Sequence, residues 1–358
     1  MLAAQPWWTW VWPALAWVTL LVAAFFGSGS VIAAAAGVAL LGTVFAAVYH
    51  AEVVAHRVGE PYGTLVLALA VTVIETALIV SVLIAAPAEN AGLARDTVYA
   101  AVMIVCNGIV GLCLLMGGAR YHEQDFQLHG ASVALAVLAA LTTLTLILPN
   151  YATSALGPLY SVSQLVFAGL VSLVLYGSFV FVQTVRHRDY FLPVQTGDEE
   201  AHAPPPSNRT AAVSAALLVA ALVAIVGLAK ILTPAVESTI AYLGAPKAVV
   251  GIVIAALVLL PEGLAALNAA LRNRLQTSLN LALGSALATI GLTIPAVVGV
   301  SIVLAQPLEL GLGGKDQVLL ALTLLFGVIT LGTGRTTVLQ GIVHVVIFAV
   351  FLFFAVVP

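Results

Sequence analysis

Two acidic residues stand where acids are costly. Glu75 lies near the middle of "LVLALAVTVIETALIVSVLI" (65–84) and Glu262 within "VLLPEGLAAL". Each is embedded in an apolar run long enough to cross a bilayer. A carboxylate at the centre of a membrane helix costs about 2.5 to 3.5 kcal/mol on insertion scales, so such acids persist where a cavity, a partner or an ion compensates them. The chemistry open to the pair is alternating binding of protons and hard cations. Ca2+ and Na+ take oxygen ligands, and carboxylates supplemented by carbonyls, hydroxyls and waters supply them. Pro261 cannot donate to the carbonyl of Leu257, which leaves a backbone oxygen beside Glu262. Thr72 precedes Glu75 by three residues and shares its helical face. The helices that follow add Asn107 in the first half and Asn280, Ser285 and Thr289 in the second; the plainer role of such groups is interhelical hydrogen bonding.

A second constellation is "HAEVVAH" (50–56), in which Glu52 and His56 have metal-ligand spacing. With His50 they could serve an intramembrane metalloenzyme, yet no HExxH occurs and the segment closes an apolar run, where His and Glu are cheaply hydrated. Glu52, Glu60, His56 and Glu237 read better as a vestibule that attracts cations or relays protons. His344, alone in the last apolar run, reads as a packed neutral imidazole. Cys106 and Cys113 fall about 10 Å apart along one helix, too far for a disulfide.

The elements that must position these residues are membrane helices. Of 358 residues, 62% are hydrophobic and 8% charged, and the mean hydropathy is +1.14. That composition excludes a soluble domain. Eleven apolar runs lie near 7–26, 30–48, 62–86, 97–118, 130–148, 160–185, 211–232, 246–271, 278–304, 317–333 and 336–357. The first opens "MLAAQPWWTWVW", without a basic n-region or a small-residue cleavage site, and reads as an uncleaved helix with interfacial Trp anchors. Eleven crossings put Arg57, Arg120, Arg186, Arg188, Arg209, Arg272, Arg274 and Arg335 on one side and Arg95, Lys230, Lys247 and Lys315 on the other. The positive-inside rule makes the first side cytoplasmic, with the N-terminus inside and the C-terminus outside. A net charge of -3 carries no argument for nucleic acid.

The one long polar interruption is "RHRDYFLPVQTGDEEAHAPPPSNRT" (186–210), a flexible cytoplasmic linker with an acidic patch and three prolines. The flanking halves repeat. "EVVAHRVGEP" and "ESTIAYLGAP" share the spacing Glu, six residues, Gly, one residue, Pro, and each opens into the helix that carries Glu75 or Glu262. Each then leads to a helix with a Thr near its start, Thr97 and Thr277. Five helices separate equivalent positions, so the copies enter the membrane from opposite sides, as in secondary transporters with a site at the repeat interface. The expected architecture is an all-α polytopic membrane protein: an extra N-terminal helix (1–29), a five-helix repeat (30–185), the linker (186–210) and an inverted five-helix repeat (211–358).

"HAEVVAHRVGEPYGTLVLALAVTVIETALIVSVL", "PEGLAALNAALRNRLQTSLNLALGSALATIGLTIP" and "TGRTTVLQGIVHVVIFAVF" resemble the ChaA-type bacterial cation/proton antiporters of the calcium/cation antiporter superfamily over nearly the whole chain. The resemblance implies ten core helices in two inverted repeats plus an N-terminal helix, in a bacterial inner membrane. It also implies alternating-access exchange of Ca2+, Na+ or K+ for H+, with no cofactor and with Glu75 and Glu262 as the essential acids. Calcium/proton exchangers of that group carry Gly-Asn shortly before each acid; here the stretches read "AVTVIE" and "LVLLPE", and "ALGSA" (282–286) is retained only in the second copy. The resemblance therefore does not extend to strict Ca2+ selectivity. Exchange of one cation for another without protons is the alternative within the same class.

Overall fold

The computed structural model describes residues 5–59, 66, 70, 72–77, 79–80, 91–192, 205–244, 246 and 248–357. Among them, ten helices are long and apolar enough to cross a membrane: α1 (Trp8–Phe26), α2 (Ser30–Val58), α3 (Leu93–Tyr121), α4 (Leu128–Tyr151), α5 (Val162–Arg186), α6 (Asn208–Tyr242), α7 (Ala248–Leu271), α8 (Leu275–Val303), α9 (Gly314–Leu331) and α10 (Val338–Val356). The protein is an all-α polytopic membrane protein. The expected span at 62–86 falls largely outside the described residues, although residues 72–77 around Glu75 are helical.

Two helices outrun their apolar stretches. α2 was expected to end near residue 48 and α6 near 232, but they continue to Val58 and Tyr242. Polar residues such as Glu52, His56 and Glu237 lower hydropathy without breaking a helix, so the ladder runs on to a residue that can leave it. In both cases this is the motif glycine. Gly59 (φ 77°) closes α2 with its N–H on Ala55 O, and Gly244 (φ 67°) follows α6 with its N–H on Ala241 O. At 35 residues α6 is about 52 Å long, against about 30 Å of hydrocarbon, so it is long enough to tilt or to project beyond it.

The chain divides into two compact units, Met1–Ala86 with Glu200–Val250, and Pro87–Glu199 with Gly251–Pro358. In the first, α2 and α6 run antiparallel. The Arg57 guanidinium at the end of α2 donates to Asn208 Oδ1 at the start of α6, and toward the other end Gly37 meets Leu232. The two Glu-to-Pro motifs therefore finish at opposite ends of this pair. α1 lies along both: His50 Nε2 donates to Thr9 O (3.1 Å), Thr43 Oγ1 to Trp12 O (3.1 Å), and the Trp17 indole to Ala220 O (3.2 Å).

The second unit carries matching contacts at its two ends. At one end the chain leaving α3 forms β1 (Glu123–Asp125), paired antiparallel with β2 (Arg335–Thr337) entering α10. At the other, Glu309 beyond α8 bridges Leu159 ahead of α5. α5 and α10 also start alike, each on a capping box, Ser161 with Gln164 and Thr337 with Gln340. One arrangement thus occurs twice, with partners exchanged.

Charge segregates between the same two ends. Arg120, Arg272, Arg274 and Arg335 gather at the β1–β2 end, where Tyr121 donates to Leu271 O, Gln124 to Ala270 O and Arg335 pairs with Asp125 (3.0 Å). Arg95 lies at the far end, bound to Asp96 (2.8 Å), Glu309 (3.4 Å) and Gly311 O, with Lys315 on Phe354 O.

The beginning of the segment expected as flexible linker is packed. Arg188–Phe191 forms a 3-10 turn in which Phe191 is buried edge-on to Phe179, and Tyr190 lies between the rings of His187 (4.7 Å) and His129 (5.1 Å). Residues 193–204 lie outside the described residues. At the other end of the linker Ser207 caps α6 by accepting from Thr210 N.

α3 and α10 approach through glycines. A Cβ on Gly118 would stand 2.8 Å from Val338 N, and one on Gly341 would run into the Leu115 backbone nitrogen. Backbone cannot yield as a flexible side chain does. Gly341→Ala should therefore lower stability by about 1 to 3 kcal/mol, read as a fall in melting temperature in detergent.

Candidate cation site

Glu262 sits past the middle of α7, directly after Pro261, and both of its carboxylate oxygens are buried. Proline at this point withholds the N–H that would have bonded Leu257 O. On the next residue the helix narrows: a Cβ on Gly263 would stand 3.1 Å from Ile109 Cδ1. Ala266 and Ala270 continue a small-residue seam onto Cys113 of α3. α7 is thereby pressed against α3 at the level of its acid.

Glu75 belongs to the other unit. It is 2% exposed, and Thr72, one turn earlier, is 4% exposed. Both acids are thus removed from solvent on helical segments, as the sequence predicts.

The remaining expected ligands have separate surroundings. Thr289 is buried and opens a π turn, Thr289–Thr293, in α8. One turn before it, the buried Ser285 hydroxyl has no hydrogen-bond partner among the described residues. Asn280 faces the linker: its Nδ2 donates to Phe191 O (2.6 Å) and its Oδ1 accepts from Gln276 (2.9 Å). Asn107 lies in the π turn Ile104–Ile109 of α3, fully buried, with its amide tied at both ends, Nδ2 to Thr323 Oγ1 (2.8 Å) and Oδ1 to His344 Nδ1 (3.1 Å). The interval from Glu52 to Ile104 equals that from Glu237 to Thr289, so the two π turns fall at corresponding places in the halves. Such turns expose backbone groups and recur at functional sites.

Glu52 and His56 are exposed on α2, Glu237 is half-buried on α6, and Glu60 lies outside the described residues. The metalloenzyme alternative fails on this geometry. His50 is fully buried with its Nε2 given to Thr9 O, whereas Glu52 and His56 point to the surface. Among the described residues no three His, Cys, Asp or Glu side chains gather into a metal-holding group. Cys106 and Cys113 are buried free thiols.

The polar cluster that sequence reasoning missed joins Asn107, Thr323, Thr330 and His344. Its signal was His344 itself, the one ionisable side chain of the last membrane helix.

Buried acids on membrane helices, with proline and π turns interrupting the helices around them, are features found in polytopic ion transporters. The sequence profile of the sodium/calcium exchanger protein family matches residues 14–185 and 213–357, on either side of the linker, and the chain belongs to that family, within the calcium/cation antiporter superfamily. It is a cation exchanger and not an enzyme. The chain is 51% identical to a Sinorhizobium fredii protein named as an ionic transporter, y4hA, over 99% of this chain and 98% of that one. It is 36% identical to the sodium-potassium/proton antiporter ChaA of Escherichia coli, over 88% and 86%. Among solved structures it shares its fold with native YfkE, with a TM-score of 0.74 at 16% identity, covering 98% of this chain and 100% of that one. The H+/Ca2+ exchanger CAX gives a TM-score of 0.73 at 15% identity, covering 96% and 87%.

Asn280 anchors the chain that leaves α5. Asn280→Ala removes the donor to Phe191 O, so backbone amides at 188–192 should exchange with deuterium faster than in the parent protein, by about five- to tenfold for the loss of about 1 kcal/mol. Hydrogen-exchange mass spectrometry in detergent or nanodiscs reads this directly.

Proposed function

We propose that the protein exchanges Ca2+, Na+ or K+ for H+ by alternating access, with Glu75 and Glu262 as the acids that protons and cations share. The observation that carries this reading is the pair of buried carboxylates, one in each half of the chain, following equivalent Glu-to-Pro motifs. The antiparallel α2–α6 pair and the exchanged end contacts of the second unit support two inverted repeats, 30–185 and 211–358, with α1 outside them. Basic residues collected at the β1–β2 end favour that end as cytoplasmic, with the N-terminus inside.

The chemistry follows from the cost of charge. An empty carboxylate in low dielectric is better off protonated; a cation entering the site stabilises the ionised form and releases the proton. Cation and proton then exclude one another. Uncompensated ionised acids are too costly to carry through a closed state, so the halves rearrange only when the site is loaded with one or the other. Thr72, the Leu257 carbonyl, Ser285 and Thr289 are the supporting oxygens, and Asn107 shapes the adjoining turn. Asn280 is the weakest of the expected ligands, since its amide is occupied at the linker. Glu52, Glu60, His56 and Glu237 remain as vestibule groups. The Escherichia coli relative is named for Na+ and K+, and the Gly-Asn of calcium/proton exchangers is missing here, so monovalent cations stand beside Ca2+ as substrates.

Reconstituted protein decides it. Adding Ca2+, Na+ or K+ outside liposomes should drive proton movement reported by a lumenal pH dye. Glu75→Gln and Glu262→Gln, whose amides cannot exchange a proton, should each reduce that movement to the level of empty liposomes. Full exchange in either variant would sink the shared-site mechanism, and cation flux indifferent to a pH gradient would point to cation/cation exchange instead.

A further inference from the structure

His344 is an ionisable group at membrane depth that the carboxylate mechanism does not use. It is 1% exposed and bridges two helices: Nδ1 lies 3.1 Å from Asn107 Oδ1 and Nε2 lies 3.0 Å from Thr330 Oγ1. The orientation of the Asn107 amide is fixed by its other partner. Thr323 donates its hydroxyl hydrogen to Leu319 O (2.7 Å), so toward Asn107 it accepts, and the amide nitrogen must face it. Oδ1 then faces the imidazole, which must carry its hydrogen on Nδ1.

The contact reaches the backbone of α3. In a regular α-helix Val110 N–H would bond Cys106 O; here it bonds Val105 O, one residue further back. The Cys106 carbonyl thereby loses the donor that a regular α-helix would give it. Gly108 and Gly111 let α10 come close enough, with Phe348 against the first and the His344 Cβ against the second. On its other side the same turn ends at Ile109, which packs on Gly263, the residue after Glu262.

We infer that His344 is a positioning residue for cation binding: it holds the Ile104–Ile109 turn and the Asn107 amide in the one arrangement that sets α7 at Glu262. In the second half the corresponding π turn meets a different neighbour, Tyr176, whose Cβ and ring lie against Gly291.

The inference rests on Glu262 being a site acid, and the experiment separates the two. In proteoliposomes, the half-saturating concentration and maximal rate are measured for Ca2+, Na+ and K+ with His344→Phe, which keeps a ring and loses both hydrogen bonds. The half-saturating concentration of the transported cation should rise about tenfold, the lower end of what loss of an outer partner costs a cation site, with the maximal rate within about twofold. His344→Gln, which can still donate to Oδ1, should recover most of the loss. In an Asn107→Ala background His344→Phe should add little. Unchanged cation dependence in folded His344→Phe overturns the inference, as do additive effects in the double variant. Where His344→Phe is not monodisperse in detergent, Thr323→Val, which cuts the other tie on the amide, is read by the same split and the same double variant, and an unchanged half-saturating concentration there overturns it too. Glu262→Gln in the same liposomes is the control: if it keeps exchange, both readings fall, whereas if it abolishes exchange while the His344 variants behave as parent, only the positioning role fails.

Discussion

Ionised oxygen in hydrocarbon is the constraint on which the rest of this structure depends. Neither Glu75 nor Glu262 can rest charged without compensation, and backbone carbonyls at membrane depth need partners just as strictly. Regular helix satisfies the carbonyls and offers nothing to a cation. The chain interrupts its ladders in several places, among them Pro261, one residue before an acid, and the buried π turns beginning at Ile104 and Thr289. Each of these is covered by packed helix, where irregular backbone is tolerated.

Such interruptions weaken helices, and the second unit is secured at its ends instead. β1 pairs with β2, Glu309 with Leu159, and capping boxes start α5 and α10. These polar contacts lie near helix termini, where water can satisfy what is left over. The two pairings tie the chain leaving an inner helix of one half, α3 or α8, to the chain entering the last helix of the other, α10 or α5. Between the ends the helices meet through glycine and alanine and through the buried hydrogen bonds of Asn107, Thr323, Thr330 and His344, as expected where the surrounding lipid is as apolar as any leucine and close contact and interhelical hydrogen bonds have to drive association.

Much of this was legible in the sequence because lipid imposes simple rules. A run of about twenty apolar residues has few alternatives to a helix, and an acid inside one stands out, so ten spans and the burial of both carboxylates followed from residue types alone. Where hydropathy failed, it failed for a physical reason: Glu52 and Glu237 lower a hydropathy average but do not stop a helix, and the true stops were Gly59 and Gly244, already visible in the repeated motif. The packed start of the linker was not legible, since Tyr190 and Phe191 sit among charges and find their partners, His129, Phe179 and Asn280, on three other helices. The role of Asn107 was hidden likewise, because its partners Thr323 and His344 lie more than two hundred residues away.

The two halves repeat their order without repeating their chemistry. One frees backbone oxygen with a proline on the acid's own helix; the other carries "AVTVIE" before its acid and places a hydroxyl, Thr72, one turn away. One π turn is tied by an imidazole and an amide, the other is packed by a tyrosine ring on glycine. The two acids therefore stand beside unlike oxygens, Glu262 beside a carbonyl that Pro261 leaves free and Glu75 beside the Thr72 hydroxyl. Neither is preceded by the amide that calcium/proton exchangers set before each acid. An amide oxygen is as neutral as a hydroxyl or a carbonyl, so its absence leaves the charge of the carboxylates unchanged and alters only the number and rigidity of the oxygens on offer, the features that separate one hard cation from another.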